Sequence, residues 1–330
     1  MEHFMSAAFA NKRSFGLAAI LLGSAFFGIG GTVLEWLHTN RHFDLGGLVP
    51  LRLIPSGLLL LLYLRLRGHD LWAIWKDRYS RSGIVAYGIG GILGMQFSFM
   101  QTVENGSAVT ATLFQFLGPA LIAVYIAWKS RRAPFLTEWS SFLIALAGIV
   151  LVLTNGVFGE TVFSKAGVLW GVCTAFAFAF YTVYPVRLLD RWGALLCSGW
   201  GMLIGGVFYS GVSMLLPGAA WFPSGRFDAV SLVLIAFVIV FGTACAFTLC
   251  AASLKVLSPT VAGILSGMEP LAAVATTVLW LMKPFGMWQT AGAIFIVAST
   301  VLLSAKPTEG LPRQTRNNPS PSNSTVRTGL

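Results

Sequence analysis

Apolar residues along this chain gather into runs of about 20, long enough for a helix to cross the hydrocarbon core of a bilayer. Ten such runs can be read: Gly16–Trp36, Leu45–Leu64, Ile84–Val103, Ala108–Trp128, Trp139–Thr154, Ala166–Tyr184, Leu195–Leu216, Val230–Ala251, Pro259–Leu281 and Trp288–Ala305. A soluble fold carrying so many would have no polar surface. The pattern predicts an all-α integral membrane protein with ten transmembrane helices. Composition agrees: 56% of residues are hydrophobic and 10% charged, where soluble domains carry about 25% charge.

The polar residues between the runs carry the charge, and they carry it unevenly. With the N-terminus in the cytoplasm, the outer connections hold only Arg41, Lys165, Arg226 and Lys283, and Arg52 lies within a span. Every other lysine and arginine falls on the inner side. The excess of positive charge on inner connections therefore predicts that both termini are cytoplasmic, and an even number of spans agrees by placing them on one side. The same asymmetry accounts for the net charge of +10, so nucleic acid is not invoked as a partner. The first run is long and lacks a small-residue cleavage site, so it reads as a span rather than a removable signal. Cys173, Cys197, Cys245 and Cys250 all fall in spans and read as free core thiols, without metal-ligand spacing. From Pro307 the composition turns to Pro, Ser, Asn, Thr and Arg, and disorder is expected.

Shifting the chain by 151 residues lays one half over the other. Gly91 falls on Gly242, Ser107 on Ser258, Ala111 on Ala262 and Pro119 on Pro270, and the register holds without gaps through Leu151 on Leu302. A unit of five spans is odd-numbered, so the second copy must enter the membrane upside down. Two inverted five-helix repeats are a known architecture for alternating access.

Glu269 is the residue that asks for a chemical explanation. It stands beside Pro270 inside the apolar run Pro259–Leu281, where a carboxylate is costly and a proline interrupts the helix. A broken helix beside a polar cavity is the expected setting, and an acid that resists ionisation there suits proton coupling. If ionised, it would hold a substrate amine. The alternative is a protonated carboxyl capping backbone freed by Pro270. Pro119 is the equivalent break in the first half. Gln115 and Ser266 are equivalent polar positions one turn ahead of these prolines, but Gly118 is the counterpart of Glu269, so the acid is not part of the repeated scaffold. Arg52 lies about seven residues into its span, roughly 10 Å deep. It is open to snorkel to the headgroups, pair with Glu35, orient helices, or face the cavity and attract a carboxylate. Trp170, Tyr181 and Trp200 are candidates to wall a pocket, against the alternative of packing or interfacial anchoring.

These stretches together resemble the drug/metabolite transporter superfamily, and within it the EamA-domain transporters, with greatest similarity to the carboxylate, amino-acid and amine group. The resemblance is carried by Arg52-Leu-Ile, Thr112-Leu-Phe-Gln-Phe-Leu-Gly-Pro119, Leu153-Thr-Asn-Gly156, Ala179-Phe-Tyr-Thr-Val-Tyr-Pro185, Gly199-Trp-Gly-Met-Leu-Ile-Gly-Gly206 and Glu269-Pro270. It implies a cytoplasmic N-terminus over residues 1–15, EamA-like repeats over 16–155 and 166–305, and a tail over 306–330. It further implies a secondary transporter of the bacterial cytoplasmic (inner) membrane that moves an amino acid, amine or organic acid, often outward. No cofactor is implied, and proton coupling and a homodimer stay open. Many relatives place a Gly-Glu pair in the turns after the fourth and ninth spans. Here those turns read Lys129-Ser-Arg-Arg-Ala-Pro134 and Met282-Lys-Pro-Phe285. The rival readings are a receptor or assembly subunit, which needs no inverted duplication, and a membrane enzyme. The latter needs clustered nucleophiles or metal ligands, whereas His3, His38, His42 and His69 lie in termini or loops, so the chain is not read as an enzyme.

Overall fold

The computed structural model describes residues 2–129, 131, 136–154, 164–215, 222–282 and 286–304. Regular structure among them is entirely helical. In chain order the long helices are α1 (Glu2–Arg41), α2 (Leu45–Leu66), α3 (Arg78–Glu104), α4 (Ala108–Lys129) and α5 (Leu136–Thr154). They are followed by α6 (Lys165–Val183), α7 (Ala194–Leu215), α8 (Ala229–Ser253), α9 (Pro259–Leu265 continued by Met268–Leu279) and α10 (Met287–Ser304). Among the described residues, 8 of these are long and apolar enough to cross a membrane. The other two, α5 and α10, coincide with the remaining expected runs. Helix α1 begins at Glu2, so residues 2–15 of the expected N-terminal segment are helical. The expected tail, 306–330, lies outside the described residues, as do most positions of the two turns that depart from the family pattern.

Four helix starts have caps that recur in both halves. Asp77 and Asp228 cap α3 and α8, accepting the N–H of Ser80 and Ser231 at 2.8 Å in both cases. Ser107 and Ser258 cap α4 and α9 by accepting the N–H of Thr110 and Val261. These caps are equivalent under the 151-residue shift. The irregularities inside the helices overlap under the same shift. Wide π-turns occur at Tyr87–Leu93 of α3 and Val240–Cys245 of α8, where Gly91 and Gly242 share one repeat position. Breaks fall at Phe116-Leu117 in α4 and at Ser266-Gly267 in α9, each just ahead of its proline. Pro119 and Pro270 therefore sit in the first turn of a restarted helix, where a missing N–H is tolerated.

Packing follows the same duplication. Helix α1 lies against α8 and α9, as α6 lies against α3 and α4; α2 meets α8 as α7 meets α3. Three pairs join equivalent helices directly, α2 with α7, α4 with α9 and α5 with α10. The outer surface presents large apolar side chains such as Leu22, Leu58, Leu62, Leu169, Phe176 and Val233. In a water-soluble protein such a surface would aggregate; in a bilayer it contacts acyl chains. The interior holds buried polar groups instead, and these define the site.

Candidate functional site

Glu269 lies near the middle of the apolar stretch Val261–Leu279, at the start of the restarted helix, and is buried. What brings α1 this close to it is Gly28. A Cβ at that position would collide with the Glu269 carbonyl oxygen and lie 2.9 Å from the Ala273 nitrogen. Thr32, one turn further along α1, donates to the Gly28 and Ala273 carbonyls at 3.2 and 3.4 Å, tying α1 to α9. Gly30 makes the matching approach to α8, where a Cβ would sit 3.1 Å from the Gly242 Cα at the π-turn. Glycine at 28 and 30 thus lets three backbones converge beside the carboxyl.

Gln115 comes to the same point from the other half. Its Nε2 donates to Glu269 Oε2 at 2.6 Å, joining the last residue before the α4 break to the acid after the α9 break. Its Oε1 is buried without a hydrogen-bond partner. Ser266 is close by, but its hydroxyl donates to the Gly263 carbonyl at 2.6 Å and so serves its own helix. Arg52 faces this region too. Its Nη2 donates to Gln96 Oε1 of α3, while Glu35 accepts the Ala108 N–H at 2.8 Å and helps start α4. Arg52 thus lines the cavity and at the same time ties α2 to α3.

Two small cavities meet at Phe27 and Glu269. One is lined by Ser24, Phe27, Phe178, Tyr181, Cys250, Ser266 and Glu269 among others, and is largely apolar. The other is polar and is lined by Phe27, Gly31, Arg52, Gln96, Gln115, Gly242 and Glu269 together with Met95 and Phe99. Both are water-sized in this arrangement. Tyr181 lines the first, stacked on Tyr87 with ring centroids 5.7 Å apart and edge-on to Phe247 at 5.4 Å. The expected grouping of Glu269, Arg52, Gln115, Ser266 and Tyr181 is therefore brought together around one centre.

Two of the expected aromatic residues are elsewhere. Trp170 packs edge-on against Phe97 at 5.3 Å and lines neither cavity. Trp200 donates its indole N–H to the Leu71 carbonyl at 3.0 Å and packs on Trp72 and Trp75, at 5.2 and 5.1 Å. It anchors the connection between α2 and α3 on α7. Gln96 is the functional candidate that sequence reasoning missed. The signal was present, a side-chain amide inside an apolar run, but the repeat hides it because the equivalent position is Phe247.

Chemically, the centre divides in two. Glu269 and the free oxygen of Gln115 are acceptors, whereas Arg52 and the amide nitrogen of Gln96 are donors. A duplicated bundle of membrane helices, broken in equivalent places around buried polar groups of both kinds, has the build of a membrane transporter. Comparison with known proteins assigns it. The EamA-like transporter family matches twice, over residues 14–154 and 165–305, and the chain belongs to that family. The two matches are offset by the same 151 residues as the internal repeat. An uncharacterized inner membrane transporter of Salmonella typhimurium, YicL, is 30% identical over 292 residues, covering 88% of this chain and 95% of its own. A solved crystal structure superposes with a TM-score of 0.63, covering 89% of this chain and 96% of that one; at 18% identity this is a likeness of fold alone.

Proposed function

We propose that this membrane transporter is a secondary transporter that moves an amino acid, amine or organic acid outward across the bacterial inner membrane by alternating access, with Glu269 as the coupling residue. The observation that carries the reading is the Gln115–Glu269 hydrogen bond, which joins the two halves through the helix breaks of α4 and α9 at mid-membrane depth. Each half contributes a side chain to one buried centre, so any rocking of one half against the other must remake that contact. The water-sized cavities fit a closed arrangement, which has to open before a metabolite can enter.

Further support is indirect. A duplicated unit of five spans would run antiparallel to its twin, and α5 and α10 complete the count of ten in this reading. The charge asymmetry of the connections argues for cytoplasmic termini. Inner-membrane placement rests on the name of the Salmonella relative. Proton coupling rests on the chemistry of Glu269. It is a lone carboxyl in an apolar span, free to exchange its proton when the site opens, and its bond from Gln115 is one that a proton on Oε2 would weaken.

The test is flux in proteoliposomes of a panel of amino acids, their decarboxylated amines and small organic acids, with and without a pH gradient. Saturable movement of one class that responds to the gradient is the expected result. Movement of a class without any response to pH would remove Glu269 as the coupling group. No movement of any class, from protein shown to be folded, would sink the transport reading for these substrates.

A further inference from the structure

We infer that Arg52 and Gln96 together form a carboxylate-binding end of the central site, with Gln96 a specificity-determining residue. The inference rests on the transport reading above. It starts from an imbalance in the polar cavity. Arg52 is buried in α2, and among the described residues no carboxylate pairs with it. It donates a hydrogen bond to a neutral amide oxygen, that of Gln96. A buried guanidinium normally finds a carboxylate or several acceptors, because leaving its charge and N–H groups uncompensated is costly.

Two donors here have no hydrogen-bond partner among the described residues. Arg52 Nε and Gln96 Nε2 are both buried and unsatisfied, and both residues line the same cavity. A buried donor left unmade is costly, so this site holds a standing demand for an acceptor. A carboxylate supplies two planar oxygens and a negative charge, which matches one cation and two orphaned N–H donors. The acceptors Gln115 Oε1 and Glu269 line the same cavity and would repel a carboxylate, which would therefore lie against Arg52 and Gln96.

The residue type at 96 is what leaves this end available. Its amide oxygen takes one N–H of Arg52 and so steadies the guanidinium, while its amide nitrogen adds a donor. A glutamate of the same length would orient Arg52 equally well, but it would neutralise the charge and replace the donor with an acceptor. The anion site would then already be filled by the protein itself.

The experiment compares wild type with Gln96→Glu and Gln96→Leu in proteoliposomes, using phenylalanine, 3-phenylpropionate and phenethylamine as probes. They share a ring suited to the Phe27, Phe178 and Tyr181 walls and differ only in their charged ends. The full panel of amino acids, amines and acids is run alongside, and thermal unfolding establishes that each variant is folded. The expected result is that carboxylate-bearing probes move in wild type and their KM rises about tenfold or more in Gln96→Glu, with the amines little changed. Gln96→Leu, which lacks the donor but adds no charge, should show a smaller rise confined to the same probes. If wild type moves amines alone, or if a folded Gln96→Glu keeps its preference for carboxylates, the inference is overturned and the transport reading stands. If nothing in the panel moves, both fall together.

Discussion

Asp77 and Asp228 stand 151 residues apart and do the same work; Gly118 and Glu269 stand 151 residues apart and do not. Asp77 caps α3 through Ser80 and pairs with Arg191 at 3.0 Å, an arginine from the second half. Asp228 caps α8 through Ser231 and pairs with Arg41 at 3.0 Å, an arginine from the first half. The caps recur in register, and the π-turns and proline breaks recur to within about two residues of it. At the centre the register continues and the chemistry does not. Arg52 has Leu203 as its counterpart, Gln96 has Phe247, and Gln115 has Ser266. Gly118 lacks room for any side chain, since a Cβ there would run into the Phe178 ring of α6. Duplication has preserved what bends and starts the helices, while the polar residues have been divided between the copies. The acceptor Glu269 comes from the second half; Arg52, Gln96 and Gln115 come from the first.

The contrast can be broken most sharply at Glu269. Glu269→Gln keeps a hydrogen-bonding group of the same size and removes the exchangeable proton. We expect loss of gradient-driven flux from a protein that still purifies folded, with at most residual exchange down a concentration gradient. Unchanged pH dependence in that variant would exclude Glu269 from coupling.

A smaller but still large effect is expected where backbones approach each other. Gly28→Ala should destabilise by about 1–3 kcal/mol, because the added methyl meets α9 backbone that cannot move aside without shifting Glu269. Thermal unfolding in detergent measures it, and an unchanged Tm would show that α1 does not need this contact. Gly118→Ala should cost a similar amount, with one difference: its obstacle is a side chain. Phe178→Leu in the same protein should restore part of the lost Tm, whereas no single side-chain change should rescue Gly28→Ala.

The smallest effects should come from the paired caps, and they should be nearly equal. The Ser80 hydroxyl, then the Ser80 N–H and Arg191, hold the Asp77 carboxyl below its usual range. For Asp228 the Ser231 N–H leads, followed by the Ser231 hydroxyl and the Arg41 and Arg226 charges. Partial desolvation opposes the shift in both. Because the folded-state values are depressed, the stabilisation is fully present above the ordinary carboxylate range. It is lost as pH falls through the depressed values. Asp77→Asn and Asp228→Asn should each flatten the acid limb of the Tm–pH curve while leaving the cap largely intact, since asparagine caps well. A flattening by one variant alone would show that the two ends of the bundle are not equivalent.

Much of this was legible before any fold was known. Hydropathy located the spans because lipid imposes a length on every helix that crosses it. The fixed 151-residue register exposed the duplication, and the pairs Pro119 with Pro270 and Gln115 with Ser266 pointed to the breaks. Glu269 stood out by energetic cost alone. Those inferences depend on quantities local in sequence: the length of an apolar run, the missing N–H of a proline, the price of a charge in hydrocarbon. What a polar residue faces is not local. A helix turns each side chain to a direction that acquires meaning only when its neighbours are in place. Only the packing of α3 beside α2 turned Gln96 towards Arg52, and only the meeting of α4 with α9 joined Gln115 to Glu269. The same packing sent Trp200 to the Leu71 connection and Trp170 against Phe97, although in the sequence both look as suitable for a pocket wall as Tyr181.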